Sequence, residues 1–409
     1  MRRARRNRSR AHRPYEEVIA VTGVAHGGTC VGRLSSGKII FIRHAIPGEH
    51  VRVRVTEELS KRAYGDVTEV LQPSPERQPH CWPLAEQADI GGVELGHLTP
   101  AGQAAWKDAV VDQTLRRIGG EEFSATVQPV REPLWQSRDV GARTRIRAVL
   151  DERGKPGMRR HHGHEVIGFD QIPLAAPPLD KVKYWPLPDG LTPGTEVRAG
   201  VSDGRIWCAP TGAGVPVTER VQVGEQEFTY QLDSDRFWQA HKDAPRLLSE
   251  AVCAAVAGAT SVLELYSGVG LFTLPLAHLP GVRRVVSAEG DAPATAYAHA
   301  NLAAAVHTGG AECIVTTEMV TGTSVRQLIG QYNPDAIVLD PPRAGAGIPV
   351  MQEIGASAAS VVVLVSCDPA AMVRDGRALW DAGFTVDRLQ PFDFFPATHH
   401  LETVLVARR

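Results

Sequence analysis

From Phe237 onward, short apolar runs alternate with stretches of helical period, a pattern that fits a parallel sheet covered by helices on both faces. Residues 261–265, 284–289, 336–340, 360–366 and 402–407 are its expected strands. In open sheets of this kind ligands bind outside the carboxyl ends of the strands. The chain brings Glu289, Asp340 and Cys367 to such ends, so chemistry is expected there.

Upstream the pattern is different. Residues 15–72 hold short runs of alternating polarity (18–21, 38–42, 50–55 and 65–71) punctuated by Gly23, Gly27-Gly28 and Pro47-Gly48. Strands this short and this numerous suit a small closed barrel of the oligonucleotide-binding type. A Pro-rich joint at 72–79 ends it, and a helix presenting Trp106, Ala109, Val110 and Leu115 follows. The expected organisation is a basic disordered arm at 1–14, a barrel at 15–72, a central α+β domain at 73–235 and an α/β domain at 236–409.

Charge is divided along the chain. Residues 1–13 hold seven Arg and no acid, so the net −2 leaves 37 basic against 46 acidic residues elsewhere, or −9. A basic arm on an acidic body suits a polyanionic partner. Residues 138–164 form a second basic stretch, with eight Arg or Lys, three acids, and His161, His162 and His164. It is a candidate for phosphate contact; no Cys or carboxylate stands at ligand spacing beside the His cluster, so no metal site is expected. Six cysteines without a CxxC argue against a disulfide framework and an all-Cys zinc or iron-sulfur site, and Cys253 and Cys313 read as small core hydrophobes. The chain has no membrane-length apolar run, and the basic start leads into no signal-type apolar segment. A cytoplasmic monomer is expected.

The candidate site is spread over four segments. The first strand of the α/β region runs into Tyr266-Ser267-Gly268-Val269-Gly270-Leu271-Phe272-Thr273, whose glycines allow close backbone approach to a ligand. A dinucleotide fingerprint would have a third glycine at Thr273, and its absence argues against NAD or FAD. Glu289, 19 residues after Gly270, ends the next strand where a carboxylate can accept ribose hydroxyls. Asp340-Pro341-Pro342-Arg343 ends a buried strand with two prolines that fix the loop. Ser366-Cys367-Asp368-Pro369 puts a thiol before a helix whose N-cap and first residue are Asp368 and Pro369; the helix dipole favours the thiolate and the Asp368 charge opposes it.

Taken in order, these segments resemble the S-adenosylmethionine-dependent RNA (uracil-5-)methyltransferases. The matching stretches are Leu263 to Leu274, Leu339 to Gly345, Val365 to Pro369, and Phe395-Pro396-Ala397-Thr398-His399-His400-Leu401-Glu402. The barrel resembles the TRAM module, and the middle of the chain resembles that family's central domain. The resemblance implies a multi-domain fold: an OB-like TRAM barrel, a central α+β domain contacting RNA, and a Rossmann-like class I methyltransferase domain. It also implies S-adenosylmethionine as cofactor, contacted by Gln239, Tyr266, Glu289 and Asp340 with the Gly268–Gly270 turn, and tRNA or rRNA as partner.

Uracil carbon 5 is a poor nucleophile until a thiolate adds at carbon 6, so Cys367 is the candidate nucleophile. Glu402, matching the family's terminal carboxylate, is the candidate base that removes the carbon 5 proton. His400, two residues earlier on the expected last strand, should face the same side and share a proton network with it. Arg343 is a candidate for orienting the base or a phosphate. Two departures stand out: Leu271 occupies a place where several members have Asn, and only Cys81 remains of four cluster cysteines. Ile90 and Val93 flank Gly91-Gly92, and no Cys lies near Ala175-Ala176, so no iron-sulfur cluster is expected.

Two other functions are compatible with parts of this pattern. RNA cytosine carbon-5 methylation also uses thiol addition, but many such enzymes carry a Cys after the Asp-Pro motif, where this chain has Pro342-Arg343. A non-catalytic RNA-binding or folding factor would have no use for Cys367, Asp340 and Glu402 together.

Overall fold

The structure is a computed structural model that describes residues 14–137, 139–161, 163–305 and 310–409. All of the expected basic arm except Pro14, and Arg138 and His162 of the second basic stretch, lie outside the described residues. The chain forms two compact units. One comprises the chain up to Val110 with Pro396–His399, and the other comprises Val111–Phe395 with His400–Arg409. The first division between these units falls between Val110 and Val111.

In the first unit, β1 (Tyr15–Ala25), β2 (Thr29–Arg33), β3 (Ile39–Arg43), β4 (His50–Glu58) and β5 (Arg62–Gln72) close into a barrel of order β1-β2-β3-β5-β4. The alternation explains the closure: Val51, Val53 and Val55 of β4 point inward with Ile19, Ile40 and Ile42, while the residues between them face outward. The chain continues through α1 (Pro83–Ala88) into α2 (Pro100–Thr114), whose Trp106 and Val110 join the barrel core. Leu115, expected on that helix, lies just beyond it in a π-helical turn. Arg77, from the Pro-rich joint, folds back onto the fully buried Glu49 through bonds of 2.6 and 2.8 Å.

The second unit continues with α3 (Gly120–Val127) and β6 (Trp135–Gln136). A five-stranded sheet follows, built from β7 (Arg145–Leu150), β8 (Pro156–Arg159), β9 (Val166–Gly168), β10 (Glu196–Ser202) and β11 (Arg205–Pro210) in the order β11-β10-β7-β8-β9. Next come the hairpin β12 (Pro216–Val223) and β13 (Gln226–Asp233), then α4 (Ala244–Ala255). The remaining elements alternate: β14 (Ser261–Leu265), α5 (Thr273–Ala277), β15 (Arg284–Glu289), α6 (Ala292–Ala305), β16 (Glu312–Thr317), α7 (Gly322–Tyr332) and β17 (Ala336–Leu339). They end with α8 (Ile348–Ala356), β18 (Val361–Ser366), α9 (Pro369–Asp381), β19 (Thr385–Asp393) and β20 (Glu402–Arg408).

These strands and β6 form one sheet of order β16-β15-β14-β17-β18-β20-β19-β6. The pairs from β16 to β18 are parallel, and β20 runs antiparallel to both β18 and β19. Both faces are covered, so successive residues of β18 enter opposite cores: Val361, Val363 and Val365 one, Val362 and Leu364 the other. The strand order reverses between β15, β14 and β17, which opens the crevice where open α/β sheets bind ligands. Every strand expected in this region is present within a residue or so, and β16, β19 and β6 are additional. Among the described residues no helix is long and apolar enough to cross a membrane.

Candidate active site

The turn after β14 is shaped by its backbone. Tyr266 takes φ 63°, and its N–H and that of Ser267 both donate to the Ala288 carbonyl, at 2.9 and 3.2 Å. Gly268 (φ 55°) has open space where a Cβ would stand, and its N–H donates to Glu289 Oε2 at 3.0 Å. The other Glu289 oxygen accepts from the Asp291 N–H at 2.8 Å, so this carboxylate is fixed at the end of β15. From behind, Asn301 Nδ2 donates to the Val269 carbonyl and Tyr230 Oη to that of Leu271, which makes the loop a rigid support.

Gln239, Tyr266, Gly268 and Asp340 line one cleft, together with Glu264 and Leu271. Gly270 points elsewhere: a Cβ there would meet Ala298, Leu274 and Thr273 at 3.5 Å, so it serves the packing of the turn on α6. Of the six expected cofactor residues, four therefore line the cleft, while Glu289 holds its rim and Gly270 its backing. Glu264, which opens the motif segment at the end of β14, is a buried carboxyl lining the same cleft. It accepts from Thr273 Oγ1 at 2.5 Å, yet burial pushes it up to about 8.

Cys367 and Glu402 come to one end of the sheet. β18 and β20 pair antiparallel up to Ser366 opposite Thr403, so Cys367, which follows β18, and Glu402, which begins β20, stand near enough for the Glu402 charge to act on the thiol. Thr403 Oγ1 donates to the Ser366 carbonyl at 3.0 Å and ties the two strand ends. Asp368 caps α9, its Oδ1 accepting from the Ala371 N–H at 2.9 Å.

The thiol is nevertheless pushed up to about 12, first by burial and then by the Glu402 and Asp340 charges, against a smaller opposing pull from Arg343. The expected help from the helix dipole is outweighed. Glu402 is buried; its Oε1 has no hydrogen-bond partner, and burial followed by Asp340 holds it well above the carboxylate range. Asp340 is raised to about 7 by burial.

His400 departs from expectation. β20 begins only at Glu402, so strand alternation does not extend back to it. Its ring nitrogens lie 3.0 and 3.1 Å from Arg343 Nη2, and its ring packs on Phe395 at 5.8 Å.

Residues 215–409 match the tRNA (uracil-5-)-methyltransferase family, and residues 16–68 match the TRAM domain. An uncharacterized RNA methyltransferase of Bifidobacterium longum is 34% identical over 98% of this chain and 99% of its own length. The chain belongs to the RNA (uracil-5-)methyltransferase family. The 23S rRNA (uracil(1939)-C(5))-methyltransferase of Halomonas elongata is 28% identical over 95% of this chain and 88% of its own. The structure of Pyrococcus abyssi tRNA (uracil-54, C5)-methyltransferase with S-adenosyl-L-homocysteine superposes with a TM-score of 0.67 at 19% identity, covering 96% of this chain and all of that one. That likeness concerns the fold, which is that of S-adenosylmethionine-dependent methyltransferases.

The donor set of this methyltransferase fits such a cofactor. Glu264, Asp340 and Glu402 are all raised, and Asp340 acts on each of the other two. Arg343 offsets this buried acidic group only in part, and a sulfonium ligand would bring further positive charge. The same feature makes a stability prediction. Between the unfolded value of about 3.9 and the folded value of about 7, native Asp340 retains a proton that the unfolded chain has lost. Stability of the ligand-free protein should therefore fall as pH rises through that window and stay low above it. Asp340→Asn is expected to raise unfolding free energy at about pH 8 by on the order of 2–4 kcal/mol, read by urea denaturation. A variant no more stable than the parent at that pH would contradict this.

Proposed function

We propose that this methyltransferase methylates carbon 5 of a uridine in a structured tRNA or rRNA, with Cys367 as nucleophile and Glu402 as base. The observation that supports this most is the β18–β20 register, which brings a thiol and a buried carboxyl with an unpartnered oxygen to one sheet end. Cys367 adds through sulfur to carbon 6, which makes carbon 5 an enolate carbon able to accept a methyl group. Glu402 then takes the proton from carbon 5, the bond between carbon 6 and sulfur breaks, and the ring double bond returns. Bound S-adenosylmethionine supplies the methyl group on a positively charged sulfur. Gln239, Tyr266, Gly268, Glu289 and Asp340 are the residues that would hold it, with Gly270 shaping the turn.

Cys367 keeps its proton while burial and the Glu402 and Asp340 charges outweigh the pull of Arg343, and a cation held in the cleft would favour the thiolate. Arg343, bonded to His400 and pulling the thiol down, is placed in this reading as an orienting group at the mouth of the site.

The target base must leave its stack to reach Cys367, so base flipping is part of the proposal. The TRAM barrel, the basic arm and the stretch 138–164 would hold the surrounding RNA, mainly through phosphates. The Halomonas relative is named for a 23S rRNA uracil and the Pyrococcus protein for a tRNA uracil, so both RNA classes are candidates. A cytoplasmic monomer without an iron-sulfur cluster completes the reading; the burial of apolar Ile90 and Val93 supports the last point. The test is to map 5-methyluridine in tRNA and rRNA from cells with and without the gene. One site should lose its methyl group in the deletion, whereas unchanged 5-methyluridine at every site would refute the proposal.

A further inference from the structure

A cavity of ≈ 240 Å³ adjoins the cofactor cleft and shares Phe237 and Trp238 with it. Five arginines line it (Arg143, Arg145, Arg147, Arg198 and Arg236) together with Trp207, and among the described residues no carboxylate lines it. Sheet register builds this face. Arg145 and Arg147 lie two apart on β7, and antiparallel β10 places Gly200 opposite the first and Arg198 opposite the second. On β11, Trp207 pairs with Gly200. A Cβ at Gly200 would come within 2.3 Å of the indole, so the glycine lets that ring lie across the strand, with the Arg145 guanidinium carbon 5.4 Å from its centroid.

Like charges directly opposite in a sheet oppose folding, so the Arg147–Arg198 pair calls for an explanation beyond the fold. Carboxylates meet these arginines in part: Glu219 at Arg145, Glu196 at Arg147, Asp235 at Arg198 and Asp291 at Arg236. Demand for acceptors remains, because Nε of Arg145, Nε of Arg198 and the indole N–H of Trp207 are buried without one, and Asp235 Oδ1, 3.5 Å from Arg198 Nη1, makes an ion pair there but no hydrogen bond. Phe237, 75% exposed, stands between this cavity and the cofactor cleft.

We infer that the cavity is a phosphate seat for a single-stranded segment of the substrate RNA next to the target uridine, with Trp207 and Phe237 offering faces for a flanking base. The inference rests on the reading that the substrate is RNA. Guanidinium groups match phosphate oxygens in charge and in bidentate geometry. Aromatic faces beside a basic groove are how proteins hold unpaired strands without reading their sequence. A strand whose base is flipped into the neighbouring cleft presents both groups here.

The test uses the full-length protein, an RNA stem-loop containing the mapped uridine, and RNA affinity measured over a range of salt. Arg147→Gln and Arg198→Gln are each expected to lower the slope of log affinity against log salt by about 0.7, and affinity by about fourfold at about 0.15 M salt. KM for RNA should rise in proportion, with kcat and KM for the cofactor unchanged. Arg326→Gln, on α7 and exposed, is the control and should change nothing. If both cavity variants behave like the control while the parent methylates RNA, the inference is overturned and the proposed function stands. If inorganic phosphate stabilises the parent and not the variants, yet RNA affinity is equal in all, the cavity takes a free anion and the inference again falls. A parent that neither binds nor methylates RNA overturns both. Arg147, 62% exposed, carries the test if Arg198→Gln does not fold.

Discussion

Cys367→Ala protein is expected to bind cofactor as the parent does yet transfer methyl groups to RNA slower by on the order of 10⁴-fold or more, as when other covalent catalysts lose their nucleophile. The separation follows from position: Cys367 follows β18, whereas the residues lining the cleft proposed for the cofactor come from the loop before α4 and the ends of β14 and β17. Removing a half-buried thiol leaves a space that Ala tolerates, so the fold should persist. Labelled-methyl incorporation in single turnover, with calorimetry for cofactor binding, reads both parts. A loss below about tenfold would take Cys367 out of the reaction.

Glu402→Gln should show a different defect. Elimination is the step that requires a base, so this variant is expected to form the covalent RNA adduct with ordinary uridine and release it about 10²- to 10⁴-fold more slowly. The adduct should accumulate as a band that survives denaturation. A second effect has a definite sign: the Glu402 charge raises the Cys367 thiol, so the amide should move that thiol down from about 12. Alkylation of Cys367 in the variant should then reach half its maximal rate at lower pH than in the parent. Normal turnover, or a thiol displaced upward, would contradict the assignment of Glu402.

The sheet was legible because its central strands are buried on both faces and therefore read as unbroken apolar runs, as in 361–365. β16 and β19 did not stand out for the opposite reason. β16 edges the sheet half-exposed, and Thr385-Val386-Asp387-Arg388-Leu389-Gln390-Pro391 mixes charge and proline into its strand. In the site, backbone-driven features such as the Gly268 turn and the Asp368 cap followed from residue type. What did not follow was environment. Residue type does not tell how deeply a glutamate at a strand start is buried, and the layers around β20 make Glu402 a buried acid.

The arginine-lined cavity shows the same limit. Arg143-Thr144-Arg145-Ile146-Arg147 carries a period of two that could have indicated one cationic strand face. Its partners Arg198 and Trp207 come from residues some fifty or more positions later, and only the order β11-β10-β7 makes them neighbours. The basic stretch 138–164 was thus a correct local signal for charge that did not reveal the cavity.

The most direct test of the central claim is to offer the enzyme its RNA with 5-fluorouridine at the target position and locate the trapped adduct by peptide mass spectrometry. Fluorine cannot leave carbon 5 as a proton would, so elimination stops after methyl transfer. The account predicts one adduct, on the peptide containing Cys367, with the nucleotide carrying the added methyl group. A trapped complex on any other residue, or methyl transfer to that RNA with no covalent complex at all, would contradict it.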